Sequence, residues 1–516
     1  MNITSLPLKE TGFFAKALCD YLDNSPSLEP FHNGVPSIDK FEDLLNDYDV
    51  DRKTLVNSLK RQYQHIDIRP EFQIQLEMLE ASTTFTVTTG HQLNIFTGPL
   101  YFIYKIVTTI NLAHQLKKAY PDHHFVPVYW MASEDHDFDE ISYFRLFGKI
   151  HEWKTNQEGA VGRFKTDEIS EILSHLPEPA PVFETAYTNA ANLADAVRSY
   201  VHELFSAYGL VVIDGDDVDL KRSFAHHVKK ELFDNLSNSH VQKTSQKLEA
   251  AGYKPQVFSR EINLFYLTSN ARKRIERSGD YFEIIGLDLK FTEGQILKEL
   301  NDHPERFSPN VITRPAYQQT ILPNLAYIGG PAEIAYWFQL KEYFRNTGIT
   351  FPLLVPRNFA LVISATQQNK LEKLSLQISD LFTSDQDLKR LVLDRFGVEE
   401  IDFTKEKNAI KDTYDSMTSL ATSIDKSLEG YIQADFHRVI KQVDNIERKT
   451  QKSLDSKHEV SLNQVRKLKD ALFPNGGLQE RIDNFMNFYL NDPSFISNLI
   501  ETLDPLDFQF HILAND

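Results

Sequence analysis

An α/β protein with a parallel-sheet core and a long helical arm is the fold class this sequence predicts, on three observations. The β-branched run Thr83 to Thr89 ends at Gly90 and is followed first by apolar residues at helical spacing, then by a second apolar strand. That strand–turn–helix–strand series opens a parallel sheet, because parallel neighbours need a crossover, usually a helix. A stretch without proline and almost without glycine, residues 366–470, carries apolar residues in heptad spacing.

The elements follow in chain order. Residues 1–80 read as an amino-terminal helical segment, in which Phe41, Leu44, Leu45 and Tyr48 share a helical face. Cys19 keeps helical spacing with Ala15 and Leu22, which predicts a small buried apolar residue. Residues 81–147 form the first part of the core. Phe102, Ile106, Ile110 and Ala113 predict a helix over 100–116, and Phe125 to Met131 is a continuous apolar strand of the kind buried on both faces. Residues 148–198, with a Gly159/Gly162 turn and the proline-rich Leu176 to Val182, read as a connecting insertion. Residues 199–365 resume the core with an insertion of their own. They hold a strand at Tyr208 to Asp214, a helix from near Val218, and one strand across Phe351 to Ile363. In the coiled-coil domain, 366–470, Ile410, Tyr414, Met417, Ala421, Ile424, Leu428 and Tyr431 keep an a/d pattern. Ile432, Phe436, Val439, Val443 and Ile446 continue it one residue out of phase, as a stutter would. Residues 471–516 form an aromatic-rich tail expected to dock on the body.

Composition narrows the partners. The chain has 516 residues, with 55 Lys and Arg against 73 Asp and Glu and a net charge of -18. Such a surface repels phosphate backbones and anionic lipid, so neither nucleic acid nor a membrane is expected. No apolar run approaches the ~20 residues that span a bilayer, and Met1 to Ser25 shows no secretory pattern, which predicts a cytoplasmic protein. A single cysteine excludes an intrachain disulfide and a multi-cysteine zinc site.

Three segments could carry chemistry. The first is Thr88 to Gln92 with Thr97, Gly98 and Lys105. Gly90 at a strand's carboxyl end lets backbone approach a ligand, His91 could donate to a developing charge, and Lys105 supplies a cation. The alternative is a tight turn whose histidine caps a helix. The second is Ser133 to Glu140, where Glu134, Asp135, His136 and Asp137 follow directly on a core strand. These could bind an amine, hold a cation or act as acid and base, while helix capping would account for Ser133 and two acids but not the histidine. The third runs from Arg314 and Tyr317 through Asn324, Gly329 and Gly330 to Glu333, Tyr336 and Trp337, offering backbone approach and an aromatic wall, or simply a turn and core aromatics.

Together these segments resemble the bacillithiol-biosynthesis cysteine-adding enzyme family. The matching blocks are TTGHQLNIFTGPLYFIYKI (88–106), PVYWMASEDHDFDEI (127–141), RPAYQQTILPNLAYIGGPAEIAYW (314–337) and LFPNGGLQER (472–481). The resemblance implies a Rossmann-like core related to class I aminoacyl-tRNA synthetases and nucleotidyltransferases, with inserted connecting segments and a coiled coil used to dimerise. It implies a ligase adding L-cysteine to glucosaminyl malate in the last step of bacillithiol biosynthesis. ATP or ADP with Mg²⁺ is the nucleotide requirement to test. Within that chemistry, Gly90, Gln92, His91, Lys105, Arg314, Gly329 and Arg357 suit the malate carboxylates or a phosphate, and the acids at 134–140 suit an ammonium or supply a base. Two class I signatures are altered. Thr88 stands where the first histidine of His-x-Gly-His would be, and no Lys-Met-Ser-Lys-Ser is present; Lys243 to Lys247 lies in a polar helical run. A nucleotidyltransferase or phosphate-ester hydrolase would use the same turn and acids, whereas a non-catalytic scaffold would use the coiled coil alone.

Overall fold

β-Branched side chains lose rotamer freedom in a helix, and Thr84 to Thr89 accordingly lies in the strand β1 (Thr84–His91), one residue after the turn at Thr83. The computed structural model describes residues 2–46, 48–396 and 401–514, and β1 is the centre of a five-stranded parallel sheet. The other strands are β2 (His124–Met131), β3 (Val211–Asp214), β4 (Asn324–Gly329) and β5 (Leu353–Pro356). Their spatial order is β5-β4-β1-β2-β3, every neighbouring pair parallel. The chain steps outward from β1 to β3, then crosses to the other side of β1 for β4 and β5. That is the Rossmann-like order, with its reversal point between β1 and β4.

Helix α1 (Tyr101–Ala119) connects β1 to β2, and α2 (Val218–Asp234) follows β3. Helix α3 (Arg314–Ile321) precedes β4, and α4 (Pro331–Phe338) follows it. Leu112 and Leu116 of α1 pack on Phe85, Val87, Phe125, Ile328 and Val355 of four strands, all buried. Each such side chain contributes about 1.5–3 kcal/mol.

The Phe351 to Ile363 run is two strands, not one. β5 stops at Pro356, the Arg357 N–H turns to Gly329 O at 3.0 Å, and Phe359–Ile363 belongs to a different sheet. The amino-terminal segment also differs from expectation. It opens with a strand, Asn2–Leu6, before helices Lys16–Leu22, Arg52–Gln62 and Pro70–Met78. Cys19 is buried in the first of these helices. Residues 264–309 form an antiparallel sheet that alternation did not reveal, because its short strands, such as Arg272–Ser278, are largely polar on their open face.

Two compact units result. One holds residues up to 361 together with 477–513, the other 362–476. In the first, Asn484 donates to Phe96 O at 2.7 Å and Gly98 O at 2.6 Å, and Leu100 N–H donates to Asp483 O at 2.8 Å. Those bonds brace a strained loop, in which Phe96 and Thr97 have φ of 51° and 70°. In the second unit, α5 (Thr404–Ile424) and α6 (Leu428–Lys457) form an antiparallel hairpin. Lys407 pairs with Asp444 at 2.8 Å and Glu447 at 2.6 Å, and Tyr414 packs on Phe436 with ring centres 5.4 Å apart. The a/d run is not one helix: the turn at Asp425 divides it, leaving Ile410 to Ile424 on α5 and Leu428 to Ile446 on α6.

Asn324 illustrates how a polar group serves the sheet interior. Its Oδ1 accepts from Thr88 at 2.8 Å and Thr86 at 3.2 Å, and its Nδ2 donates to Gln319 at 2.7 Å, all within buried surroundings. It starts β4, about 16 Å of strand away from the carboxyl end. Asn324→Ala is expected to lower unfolding free energy by about 2–4 kcal/mol in denaturant titration, because three partners lose their bonds, while anion affinity stays near that of the parent chain.

Candidate active site

Where β1 and β4 part, a cleft of about 320 Å³ opens at the carboxyl ends of the strands. Gly90 is the penultimate residue of β1, and a methyl group on it would stand 3.3 Å from the Tyr327 hydroxyl and 3.6 Å from Arg314. Gly330 performs the same service before α4, where a methyl would lie 3.9 Å from Arg357 Nε. Both glycines keep the floor bare, so a ligand reaches backbone and guanidinium groups directly.

The cleft is cationic. Lys105 reaches from α1 to Glu333 at 2.7 Å and also donates to Gly90 O. Burial alone would raise the Glu333 carboxyl, but Lys105, the Gly330 N–H at 2.8 Å and the Tyr327 hydroxyl at 2.7 Å hold it below its ordinary value. Arg357 makes a bidentate pair with Glu480, at 2.6 and 3.0 Å, both side chains almost wholly buried. Its Nε is buried without a partner, and its guanidinium lies over Tyr101 at 5.1 Å. Arg314 is bonded only to neutral groups, Gln318 at 2.9 Å and Tyr336 at 3.2 Å. Arg481, exposed at the rim, has no carboxylate within ion-pair distance among the described residues. Among the described residues that line the cleft, Lys105, Arg314, Arg357 and Arg481 meet one carboxylate, Glu333, and Glu480 lies behind Arg357.

His91 stands among these cations as a neutral ring. Burial, then Lys105, push its pKa down to about 3, and its Nε2 has no partner. Tyr101 and Phe102 pack against the imidazole at 5.3 and 5.1 Å between ring centres, so it does not cap the helix.

The acidic segment adjoins the cleft through Gln92, whose Nε2 donates to Asp135 at 2.9 Å and Glu140 at 2.6 Å. Burial would raise the Asp135 carboxyl, yet hydrogen bonds from His136 and Gln92 and the charge of Arg272 hold it well below the carboxylate range. Glu134 turns the other way, into an ion pair with Lys221, which also meets Asp216 at 3.3 Å. Arg163 grips Asp216 with two bonds of 2.8 and 3.0 Å. These buried pairs brace the turn beneath β2 and β3, so Glu134 serves structure where catalysis was expected. His136 is exposed beside Arg272, 3.3 Å away, and Asp137 is exposed with no capping bond to its short helix.

Of the expected residues, the cleft brings together Gly90, His91, Gln92, Lys105, Arg314, Gly330, Glu333 and Arg357. Thr97 and Gly98 belong to the braced loop instead, and Gly329 accepts from the Arg357 N–H behind the cleft. Tyr317 is core: its hydroxyl donates to Gly215 O at 2.7 Å and its ring meets Trp130. Trp337 is also core, packed on Tyr327 and Phe351. Asn324 lies at the opposite end of β4. Arg481 and Arg272 were missed, since a lone arginine in a tail or a polar strand reads as surface.

Three backbone donors of the turn after β1 are bonded within the protein. Gly98, Leu100 and Phe102 N–H groups are spent on Ile95, Asp483 and Pro99 carbonyls, and Pro99 has none. Thr88, at the altered signature position, is tied to Asn324 inside the sheet.

The domain profile described as the bacillithiol biosynthesis BshC N-terminal Rossmann-like domain matches residues 1–358, and that of the BshC C-terminal coiled-coil domain matches 360–514. Proteins named "Putative cysteine ligase BshC" from Cytophaga hutchinsonii and Flavobacterium johnsoniae are 41% and 42% identical. Those matches cover 99% and 100% of this chain and 98% and 100% of the relatives. One from Chlorobaculum tepidum is 30% identical, over 97% of each chain. The described residues contain no helix long and apolar enough to cross a membrane. With two profiles that together cover nearly the whole chain and relatives matched end to end, the chain belongs to the BshC family of bacillithiol biosynthesis.

Proposed function

We propose that this chain is the cytoplasmic ligase that joins L-cysteine to the amine of glucosaminyl malate, with the malate carboxylates held in the cleft between β1 and β4. One observation carries the reading. In a chain of net charge -18, the switch-point cleft is lined by four cations and one carboxylate, Glu333, with Glu480 committed behind Arg357. A dicarboxylate fits that imbalance, and guanidinium groups bind carboxylates through paired N–H bonds. The relatives' printed name supplies the cysteine-ligase activity.

Amide formation needs an activated cysteine carboxyl and an amine with a free lone pair. Arg314, Arg357 and Arg481 fix the malate end, which carries the sugar's amine toward the Gln92 side of the cleft. His91, neutral at pH 7, donates a hydrogen bond to oxygen as charge develops on it, without adding a fifth cation. Purified protein with cysteine and glucosaminyl malate is expected to form a new thiol amide, seen by mass spectrometry after thiol labelling. Arms with and without ATP and Mg²⁺ read the nucleotide requirement. No thiol amide in any arm overturns the reading; nucleotide turnover without cysteine would favour the nucleotidyltransferase or hydrolase.

His91→Ala should lower turnover by about 10²–10³ while the melting temperature stays close to the parent value. The same residue predicts a pH effect. A bound anion raises its pKa from about 3, so the added affinity is full at low pH and is lost as pH rises through the bound-state pKa. Calorimetry with malate at pH 5.5 should show more proton uptake by the parent chain than by His91→Gln.

The same reading includes a homodimer formed through the coiled coil. No residue of α5 is fully buried, and Leu420, Ile424 and Tyr431 near the hairpin turn are strongly exposed. A large apolar patch of this kind calls for cover. Sedimentation of the full chain at micromolar concentration should give a dimer, and the double variant Leu420→Lys/Ile424→Lys a folded monomer.

A further inference from the structure

The bonds around Gln92 fix more than its position. Its amide nitrogen is held by two carboxylates, Asp135 at 2.9 Å and Glu140 at 2.6 Å. A carboxylate accepts and never donates when ionised, so the amide cannot turn over: nitrogen must face the acids. The amide oxygen is left facing away from them, on a residue that lines the cleft, and no protein donor reaches it among the described residues.

That oxygen is unusual in its setting. Lys105, Arg314, Arg357 and Arg481 present donors only. Glu333, the carboxylate among the lining residues, is already bonded by Lys105, Tyr327 and the Gly330 N–H. Gly90 O is taken by Lys105. A substrate carrying two carboxylates at one end and an amine at the other finds donors in plenty for the first. For an amine hydrogen, Gln92 Oε1 is an amide acceptor with an open lone pair and a direction fixed by the two carboxylates on its nitrogen.

We infer that Gln92 is the residue that positions the substrate amine, accepting one of its N–H groups so that the nitrogen lone pair is turned toward the cysteine carboxyl. Asp135 and Glu140 are positioning residues that act through Gln92 by holding its amide in one orientation; they do not themselves bind the ammonium or remove its proton. Specificity follows: the amine end is recognised by a neutral, directional acceptor, and an amine-free ligand gains nothing from it. The inference deepens the substrate assignment proposed above and rests on it.

The test compares glucosaminyl malate with free malate, which shares the carboxylates but has no amine. Calorimetry on the full-length protein gives affinities, and the ligase assay gives kcat and KM. Gln92→Met, close in size and without hydrogen-bonding groups, should weaken glucosaminyl malate binding and lower kcat/KM by roughly 10- to 100-fold, with malate affinity and melting temperature unchanged. Asp135→Asn/Glu140→Gln, which keeps volume but lets the amide turn over, should lower kcat/KM for glucosaminyl malate in the same direction and spare malate. If Gln92→Met keeps parent activity while the double acid variant loses it, the acids act directly and the proposal is overturned. Equal loss of both ligands in Gln92→Met overturns it too, since Gln92 would then shape the anion cleft. A parent chain that binds malate but not glucosaminyl malate, or neither, overturns the substrate assignment itself and this proposal with it.

Discussion

The buried pair between Arg357 and Glu480 is the constraint on which the cleft depends. Two charges out of water are costly, and the two parallel bonds offset that cost only while both partners are present. Glu480 also accepts the Ala360 N–H at 3.1 Å, so one carboxylate fixes both the side chain after β5 and the backbone just beyond it. With Nη1 and Nη2 committed to Glu480, the third edge of the guanidinium, Nε, is presented toward Gly330. The same pair anchors the returning segment 477–513, and the next residue along that segment is Arg481. Asp483 and Asn484 follow, one closing the start of α1 and the other holding the Phe96–Gly98 loop. A stretch of five residues remote in sequence thereby completes a site whose floor comes from residue 90.

This explains which parts were legible in the sequence. β-Branched density and helical spacing are local signals, and they located β1, α1 and β2, with the glycine turns at Gly90 and Gly329–Gly330 falling within one residue of the strand ends. The cleft residues next to those ends, His91, Gln92, Lys105 and Glu333, were legible for the same reason. Glu134, Tyr317, Trp337 and Asn324 looked equally good by type and position. Only packing separates them: Lys221 claims Glu134, and the sheet interior claims Asn324. Arg481 and Arg272 escaped because their importance comes from where the tail and the inserted sheet return, which no periodicity encodes.

Closing the start of α1 changes how this Rossmann-like fold handles anions. In dinucleotide-binding versions, backbone N–H groups at that helix terminus carry the negative charge. Here Asp483 O takes the Leu100 N–H, local carbonyls take those of Gly98 and Phe102, and guanidinium and ammonium side chains gather around the switch-point cleft. Side-chain cations recognise carboxylate geometry more selectively than a helix terminus does. An acidic protein surface around a cationic cleft also concentrates the field where an anionic substrate must arrive.

A site this rich in donors creates a difficulty of its own, because an amine and a carboxylate in one substrate make opposite demands. Under the proposed assignment, more acids inside the cleft would serve the amine but would cancel the cations assigned to the malate end. The observed arrangement avoids the conflict by leaving the carboxylates one bond away. Asp135 and Glu140 keep their charges outside the cleft, where Arg272 and solvent compensate them, and transmit only an orientation through Gln92. His91 follows the same logic in reverse, since a buried neutral ring donates without adding to the positive charge. In the proposed assignment, polarity is thus delivered to the amine end by uncharged groups, and charge is reserved for the carboxylate end.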